Sequence, residues 1–233
     1  MELLTVQGLT KNFGRKRVLD GLDMTITKGK IVGLLGPNGS GKTTLMKIIA
    51  GLTAPTQGQI TYPNNAKRGV ESKGTIAFLP DNMQFPAWMK VADAFEFYKR
   101  HYPDYNSHMA KTMQEILNIS PTDTISKLSK GMQERVALGV TFSRNVPLYL
   151  LDEPLGGIDP VGRSKVLQSI IATHHQDSSI LLSTHLIKDV EAVFDNVLFI
   201  KDGKIAAYHD CEDLRQDSNK KVEDVYMEVF GDA

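Results

Sequence analysis

The stretch GLLGPNGSGKTTLMKIIAG, residues 33–51, runs from a short apolar segment into a loop carrying Gly36, Gly39 and Gly41, and then into Lys-Thr-Thr and an apolar-periodic segment. Gly36, Gly41, Lys42 and Thr43 satisfy the spacing G-x-x-x-x-G-K-[ST]. The preceding KIVGLL reads as a buried strand, and TTLMKIIAG reads as a helix closed by Gly51. Glycines let the backbone wrap with its N–H groups pointing inward, a nest for phosphate oxygens at the positive end of the following helix. The cradle comprises Gly36, Pro37, Asn38, Gly39, Ser40, Gly41, Lys42, Thr43 and Thr44. Lys42 adds a point charge for the β- and γ-phosphates, and Thr43 offers a hydroxyl of the kind that ligates Mg²⁺. A Gly-rich turn with a surface Lys is the bland alternative, but it needs the spacing, the strand and the helix to coincide by chance. The loop is built to hold a nucleoside triphosphate.

The chain has 233 residues, enough for one large α/β domain, and its 41% hydrophobic content is ordinary for a soluble protein. Lys plus Arg and Asp plus Glu both number 27, so there is no excess positive charge for a polyphosphate backbone and nucleic acid is not expected as a partner. Runs such as IVGLLG and VLFI fall far short of the roughly 20 residues that span a bilayer, and MELLTVQGLTKNFG has neither a basic leader nor a cleavable apolar core. The expected location is the cytosol, or the cytoplasmic face of a membrane. The single cysteine, Cys211, has no second thiol with which to form a disulfide or a zinc site.

Residues 1–30 alternate polar and apolar positions in short pieces with Gly and Asp-Gly breaks, which predicts antiparallel strands. TAPTQGQITYPNN is rich in Pro, Gly and Asn and reads as punctuation, and TIAFLP reads as a buried strand ending at Pro80. From about 86 to 145 the pattern is helical, with Met109, Met113, Ile116 and Leu117 on one face, a core stripe rather than a binding groove. YLLD, ILLST and VLFI, separated by helical segments, then imply a parallel sheet. KDGK at 201–204 predicts a two-residue hairpin turn. The division expected is an α/β core from 1–85 and 146–233 bearing an antiparallel β lobe, an inserted helical subdomain at 86–145, and a C-terminal tail at about 211–233.

NVPLYLLDEPLGGIDP puts Asp152 and Glu153 at the carboxyl end of an apolar strand, the edge at which open parallel sheets bind ligands. Asp152 there would steady a Mg²⁺ ion, and Glu153 could orient or deprotonate an attacking water. A solvated turn is the alternative for such an acidic pair taken alone. Reading of a guanine base would need Asn-Lys-x-Asp, and Asn219-Lys220-Lys221-Val222 lacks the Asp. KLSKGMQERVALGVTFSR, a Ser-Lys-Gly turn opening an amphipathic helix shortly before the acidic strand, completes a set that resembles the ATP-binding subunits of ABC transporters.

The resemblance covers nearly the whole chain. Leu128, Ser129, Lys130, Gly131 and Met132 occupy the family's LSGGQ signature, with Lys for the first Gly and Met for the Gln. It implies that Ser129, Lys130 and Gly131 cap the γ-phosphate of ATP bound to a second ABC subunit, two chains sandwiching two ATPs. Phe13 matches the aromatic that stacks on adenine, a core aromatic being the alternative. Asp159 in GGIDP matches the loop that contacts the opposite subunit, and Asp before Pro160 is also an ordinary helix start. His185 in LLSTHL matches the switch histidine. His101, His108, His174, His175 and His209 show no ligand spacing and read as surface residues. Where most relatives carry Gln after a core strand, FLPDNMQF places Asp81, a carboxylate able to join the Mg²⁺ and water network, with Gln84 three residues on.

The fold implied is α/β: a P-loop ABC ATPase core with a mainly parallel sheet and flanking helices, an antiparallel β lobe and an inserted helical subdomain. The function implied is ATP hydrolysis, with Mg²⁺, driving integral membrane permease subunits from the cytoplasmic face. A soluble ABC protein acting on DNA or ribosomes is the main alternative, and it usually shows coiled-coil insertions, paired nucleotide domains or basic surfaces. A catalytically dead regulator is opposed by the intact Lys42, Asp152, Glu153 and His185. The LSKGM variant and the ending VEDVYMEVFGD resemble exporter-type members. In DNMQFPAWMKVADAF, Met83, Phe85, Trp88 and Met89 crowd a polar loop where a membrane subunit would dock, closure of the helical core being the alternative.

Overall fold

The computed structural model describes residues 1–217 and 220–231; Asn219 and the ends of the C-terminal segment at Asp232 and Ala233 lie outside the described residues. Ile31–Leu35 (β3), Leu148–Asp152 (β6) and Ser179–Thr184 (β7) are buried at every position, as expected of strands covered on both faces. With Ile76–Leu79 (β5), Asn196–Lys201 (β8) and Lys204–Asp210 (β9) they form one six-stranded sheet in the order β5-β6-β7-β3-β8-β9. All neighbours are parallel except β8 and β9, a hairpin turning at Asp202 and Gly203, both at positive φ as a type I′ turn requires. A second, antiparallel sheet in the order β2-β1-β4 is made of Glu2–Phe13 (β1), Lys16–Thr27 (β2) and Gln57–Thr61 (β4).

Two features of this β lobe differ from the sequence expectation. The short pieces of 1–30 are two 12-residue strands, kept continuous by register shifts around Gly8 and Gly21 that absorb the breaks. The stretch read as punctuation contains β4, whose residues are exposed or half-buried and so carry no apolar alternation.

Alternate residues of the central strands feed two cores. Leu148 and Leu150 face the β lobe and Lys42–Ile49 (α1), while Tyr149 and Leu151 face the helices inserted between β5 and β6. Burying one such side chain stabilises the fold by about 1.5–3 kcal/mol. Val70–Gly74 (α2) precedes β5, and the insertion itself contains Val91–His101 (α3), Ser107–Ile116 (α4) and Lys130–Phe142 (α5). Met113 and Leu117 are fully buried in its core, with Met109 and Ile116 packed beside them. Arg144 fastens this insertion to the sheet: its guanidinium donates to Asp104 Oδ1 at 2.9 Å and Oδ2 at 2.6 Å, and to the Ile76 carbonyl at 2.6 Å. Pro160–Thr173 (α6), Ile187–Val190 (α7), Cys211–Asp217 (α8) and Val222–Phe230 (α9) complete the chain. Among the described residues no helix is long and apolar enough to cross a membrane.

Candidate active site

The loop between β3 and α1 is pressed against β8. A Cβ on Gly36 would run into the Ile200 carbonyl, so only glycine permits this approach. α1 starts on Gly41 with no side-chain cap and no acidic residue in its first turn, leaving the positive helix end uncompensated. Lys42 is 6% exposed and folds back over the loop, its Nζ donating to the Gly36 carbonyl at 2.7 Å and the Pro37 carbonyl at 3.1 Å. Burial pushes its pKa down, and the nearby Glu153 and Asp152 charges oppose that shift. Thr43 and Thr44 are half-buried, and Ser40 Oγ is buried without a hydrogen-bond partner.

At the end of β6, Asp152 Oδ1 accepts a 2.6 Å hydrogen bond from Ser183 Oγ on β7, and Oδ2 is buried with no hydrogen-bond partner. Glu153 follows at φ +50, a left-handed conformation that costs a non-glycine residue on the order of 1–3 kcal/mol. It is held there by its N–H, which donates to both the Ser183 carbonyl and Ser183 Oγ at 3.1 Å. The twist brings the Glu153 carboxylate to His185, with Oε2 2.9 Å from Nδ1. Ser183 thus orients both acids, a role visible only through strand register, Asp152 lying opposite Ser183.

A cavity of about 350 Å³ joins Asp152 and Glu153 to Asp81, Gln84, Lys130 and Glu134. Asp81 is therefore at the site, and so is Gln84. Ser129 and Lys130 are exposed at the start of α5; Ser129 Oγ caps the helix by accepting from Met132 N at 3.3 Å. Lys130 lies 3.7 Å from Glu134, whose pKa is pushed up mainly by burial. Gly131 packs against the loop holding Gly157 and Ile158. Asp159 caps α6, its Oδ1 accepting from Gly162 N at 3.0 Å, which lowers its pKa, and Pro160 takes the first helical position. Phe13 is not a core aromatic: it is 53% exposed at the β1–β2 turn, with Lys11 Nζ 4.6 Å from its ring centre. Of the other histidines, His101, His108 and His175 are exposed, whereas His174 and His209 are half-buried. His174 bonds the Gly29 carbonyl through Nε2 at 3.1 Å and His209 packs edge-on to Phe199, which corrects their reading as surface residues.

A phosphate loop between a parallel strand and its helix, with an acidic pair ending the next-but-one strand of the same sheet, defines the class of P-loop nucleoside triphosphatases. The ABC transporter family pattern matches residues 19–156, more than half of the chain, and the chain belongs to that family as an ATP-binding cassette, an ATPase. It is 30% identical over 230 residues to the lantibiotic transport ATP-binding protein SrtF of Streptococcus pyogenes, covering 94% of this chain and 97% of that one. It is likewise 30% identical over 210 residues to the SkfA peptide export ATP-binding protein SkfE of Bacillus subtilis, covering 88% of each. Among solved structures, an ATP-binding cassette in a dimeric post-hydrolysis state with ADP and phosphate matches at a TM-score of 0.78 and 22% identity, covering 90% of this chain and 99% of that one. That likeness extends the shared fold to both sheets and the helices.

Proposed function

We propose that this cassette hydrolyses ATP within a head-to-tail pair of cassettes, and that pair closure powers export through separate integral membrane permease subunits at the cytoplasmic face. The observation that carries the reading is the convergence of Lys42, Asp152, Glu153 and His185 at one sheet edge, with Ser129 and Lys130 exposed for a second cassette. The phosphates lie in the loop of residues 36–44 against the N–H groups of α1 and the Lys42 ammonium, and adenine stacks on the exposed Phe13 ring. Glu153 accepts the proton of the attacking water as oxygen bonds to the γ-phosphorus and the bond to the β-phosphate oxygen breaks, leaving ADP and phosphate. With Nδ1 on Glu153, Nε2 is the atom His185 has left for the γ-phosphate. Asp159 and the Ser129–Gly131 turn meet the partner cassette, whether a second copy or a related chain.

The residues fit a magnesium ion. Asp152 Oδ2 is a buried oxygen without a hydrogen-bond partner, Asp81 lines the same cavity, and Thr43 follows Lys42 with a hydroxyl of the kind that ligates this ion. Bound there, Mg²⁺ would neutralise charge on the phosphates.

Export is supported by the LSKGM signature, by the VEDVYMEVFGD ending, and by likeness to a peptide export protein. The permease contact we propose is a groove lined by Leu52, Phe78, Met83 and Tyr102, a reading supported by Trp88, 75% exposed on the adjoining loop. Residues of about 86–145 would carry the motion as a unit. The test is Glu153→Gln: turnover should fall by about 10² to 10⁴ with ATP binding intact, and the variant should elute as an ATP-dependent dimer. Turnover near that of the unaltered chain would overturn the assignment, and the integral membrane protein that co-purifies from native membranes would identify the permease.

A further inference from the structure

Arg163 stands one turn into α6, just beyond Asp159. Its half-buried guanidinium reaches two ways: Nε donates to the Ile158 carbonyl at 3.1 Å, and Nη1 donates to Asp189 Oδ2 at 2.7 Å. Ile158 immediately precedes Asp159, and Asp189 lies on α7, whose four residues begin two positions after His185. A helix that short has no stability of its own, so its place is set by its anchors. Those anchors include the buried Ile187 and Val190, a largely exposed Lys188–Glu223 pair at 3.1 Å, and the Arg163–Asp189 pair. On the other side, Leu186 N donates to Thr184 Oγ1 at 2.9 Å at the end of a fully buried strand. His185 and Leu186 therefore form a joint between β7 and α7, and any shift of α7 moves an imidazole that is itself 55% exposed.

We infer that Arg163 is a positioning residue for hydrolysis, a tie between the loop before Asp159 and the segment that carries His185. Docking of the partner cassette on Asp159 then holds the imidazole, already on Glu153, in place for the γ-phosphate. The inference rests on the roles proposed above for Asp159 and His185. A guanidinium suits the task because its rigid fork holds a carbonyl and a carboxylate at the same time. A simple staple between α6 and α7 would need only the ion pair. Exchanging the two charges keeps an ion pair but leaves the Ile158 carbonyl without a donor, because a carboxylate cannot donate to it. That difference separates the two roles.

Arg163→Gln and Asp189→Ala should each lower kcat roughly 10- to 100-fold while KM for ATP stays within about twofold, the mark of an interaction used in the transition state. Both should still elute as ATP-dependent dimers, because the sandwich forms but is resolved slowly. Asp189 is more exposed, so its variant keeps the question open if Arg163→Gln folds poorly. The exchanged pair, Arg163→Asp with Asp189→Arg, should regain the thermal midpoint but not kcat. The tie is overturned if Asp189→Ala keeps kcat within about twofold, or if the exchanged pair recovers kcat together with the midpoint. His185→Ala, measured alongside, separates the failures. Lost turnover in His185→Ala with full turnover in the tie variants removes the tie alone; full turnover in His185→Ala removes the site reading and the tie with it.

Discussion

Replacing Arg144 by Met tests what holds the helical insertion to the sheet. Arg144 is 5% exposed and Asp104 half-buried, and the pair is bidentate. The substitution keeps the aliphatic stem but removes the Asp104 contacts, the donors to the Ile76 and Lys73 carbonyls, and the guanidinium stacked 4.2 Å from the Tyr102 ring centre. Removing one partner of a buried ion pair costs about 3–5 kcal/mol. The 19% exposure of Asp104 allows some rehydration and favours the low end, while loss of the stacking adds on the order of 0.5–1 kcal/mol. A total near 3–4 kcal/mol, at about 2–4 °C per kcal/mol for a chain of this size, is a fall in thermal midpoint of about 10 °C. Circular dichroism melts of Arg144→Met, Asp104→Asn and the double variant give the coupling directly. Asp104→Asn should cost less, since Arg144 keeps both carbonyls. A loss below about 1 kcal/mol in Arg144→Met would refute the reasoning.

Lys42→Ala should weaken nucleotide binding roughly 10- to 100-fold by removing a charged donor from the cradle, whereas His185→Ala should spare binding and lower turnover; equal affinity losses in nucleotide titrations would contradict the division of roles. Cys211 is 1% exposed and burial pushes its thiol up to about 11, so at pH 8 only about one thiol in a thousand is ionised, and maleimide labelling should be far slower in native than in urea-unfolded protein. Asp210 accepts from Glu212 N at 2.8 Å and Asn196 Nδ2 at 3.0 Å, with its pKa lowered chiefly by the Glu212 N–H. A lowered carboxylate stabilises the fold above its unfolded pKa and loses that effect as pH falls through the folded value, so the melting deficit of Asp210→Asn should be full at pH 7 and shrink below about pH 4. Trp88→Ala should leave the midpoint within about 1 °C and reduce permease co-purification, while Phe85→Ala, half-buried against the core, should cost on the order of 1–2 kcal/mol; the reverse order would move the docking surface elsewhere.

What was legible in the sequence depended on short-range constraint. The phosphate loop, the hairpin at Asp202-Gly203 and the buried strands each declare themselves within a few residues, because glycine geometry and burial on both faces act locally. β4 was hidden because an exposed strand needs no apolar alternation. Arg144 with Asp104 and Arg163 with Asp189 were hidden for another reason: the partners lie 40 and 26 residues apart, and nothing in either local pattern names the other. The left-handed Glu153 was equally unreadable, since it is imposed by Ser183, 30 residues on.

The assembly of the site follows from sheet order and register rather than from any motif. β3 lies between β7 and β8, and β7 separates it from β6, so segments more than a hundred residues apart end side by side. Asp152 is level with Ser183, and Leu35 is level with Thr184. The next residues along the same edge are Glu153, His185 and Gly36, where the phosphate loop opens. A slip of one residue between β6 and β7 would turn Ser183 to the opposite face relative to Asp152 and take the hydroxyl from both acids. The full burial of these strands makes such a slip costly, because every apolar side chain on both faces would leave its core. The same packing that stabilises the sheet therefore sets how closely Glu153, His185 and the loop that opens at Gly36 approach one another.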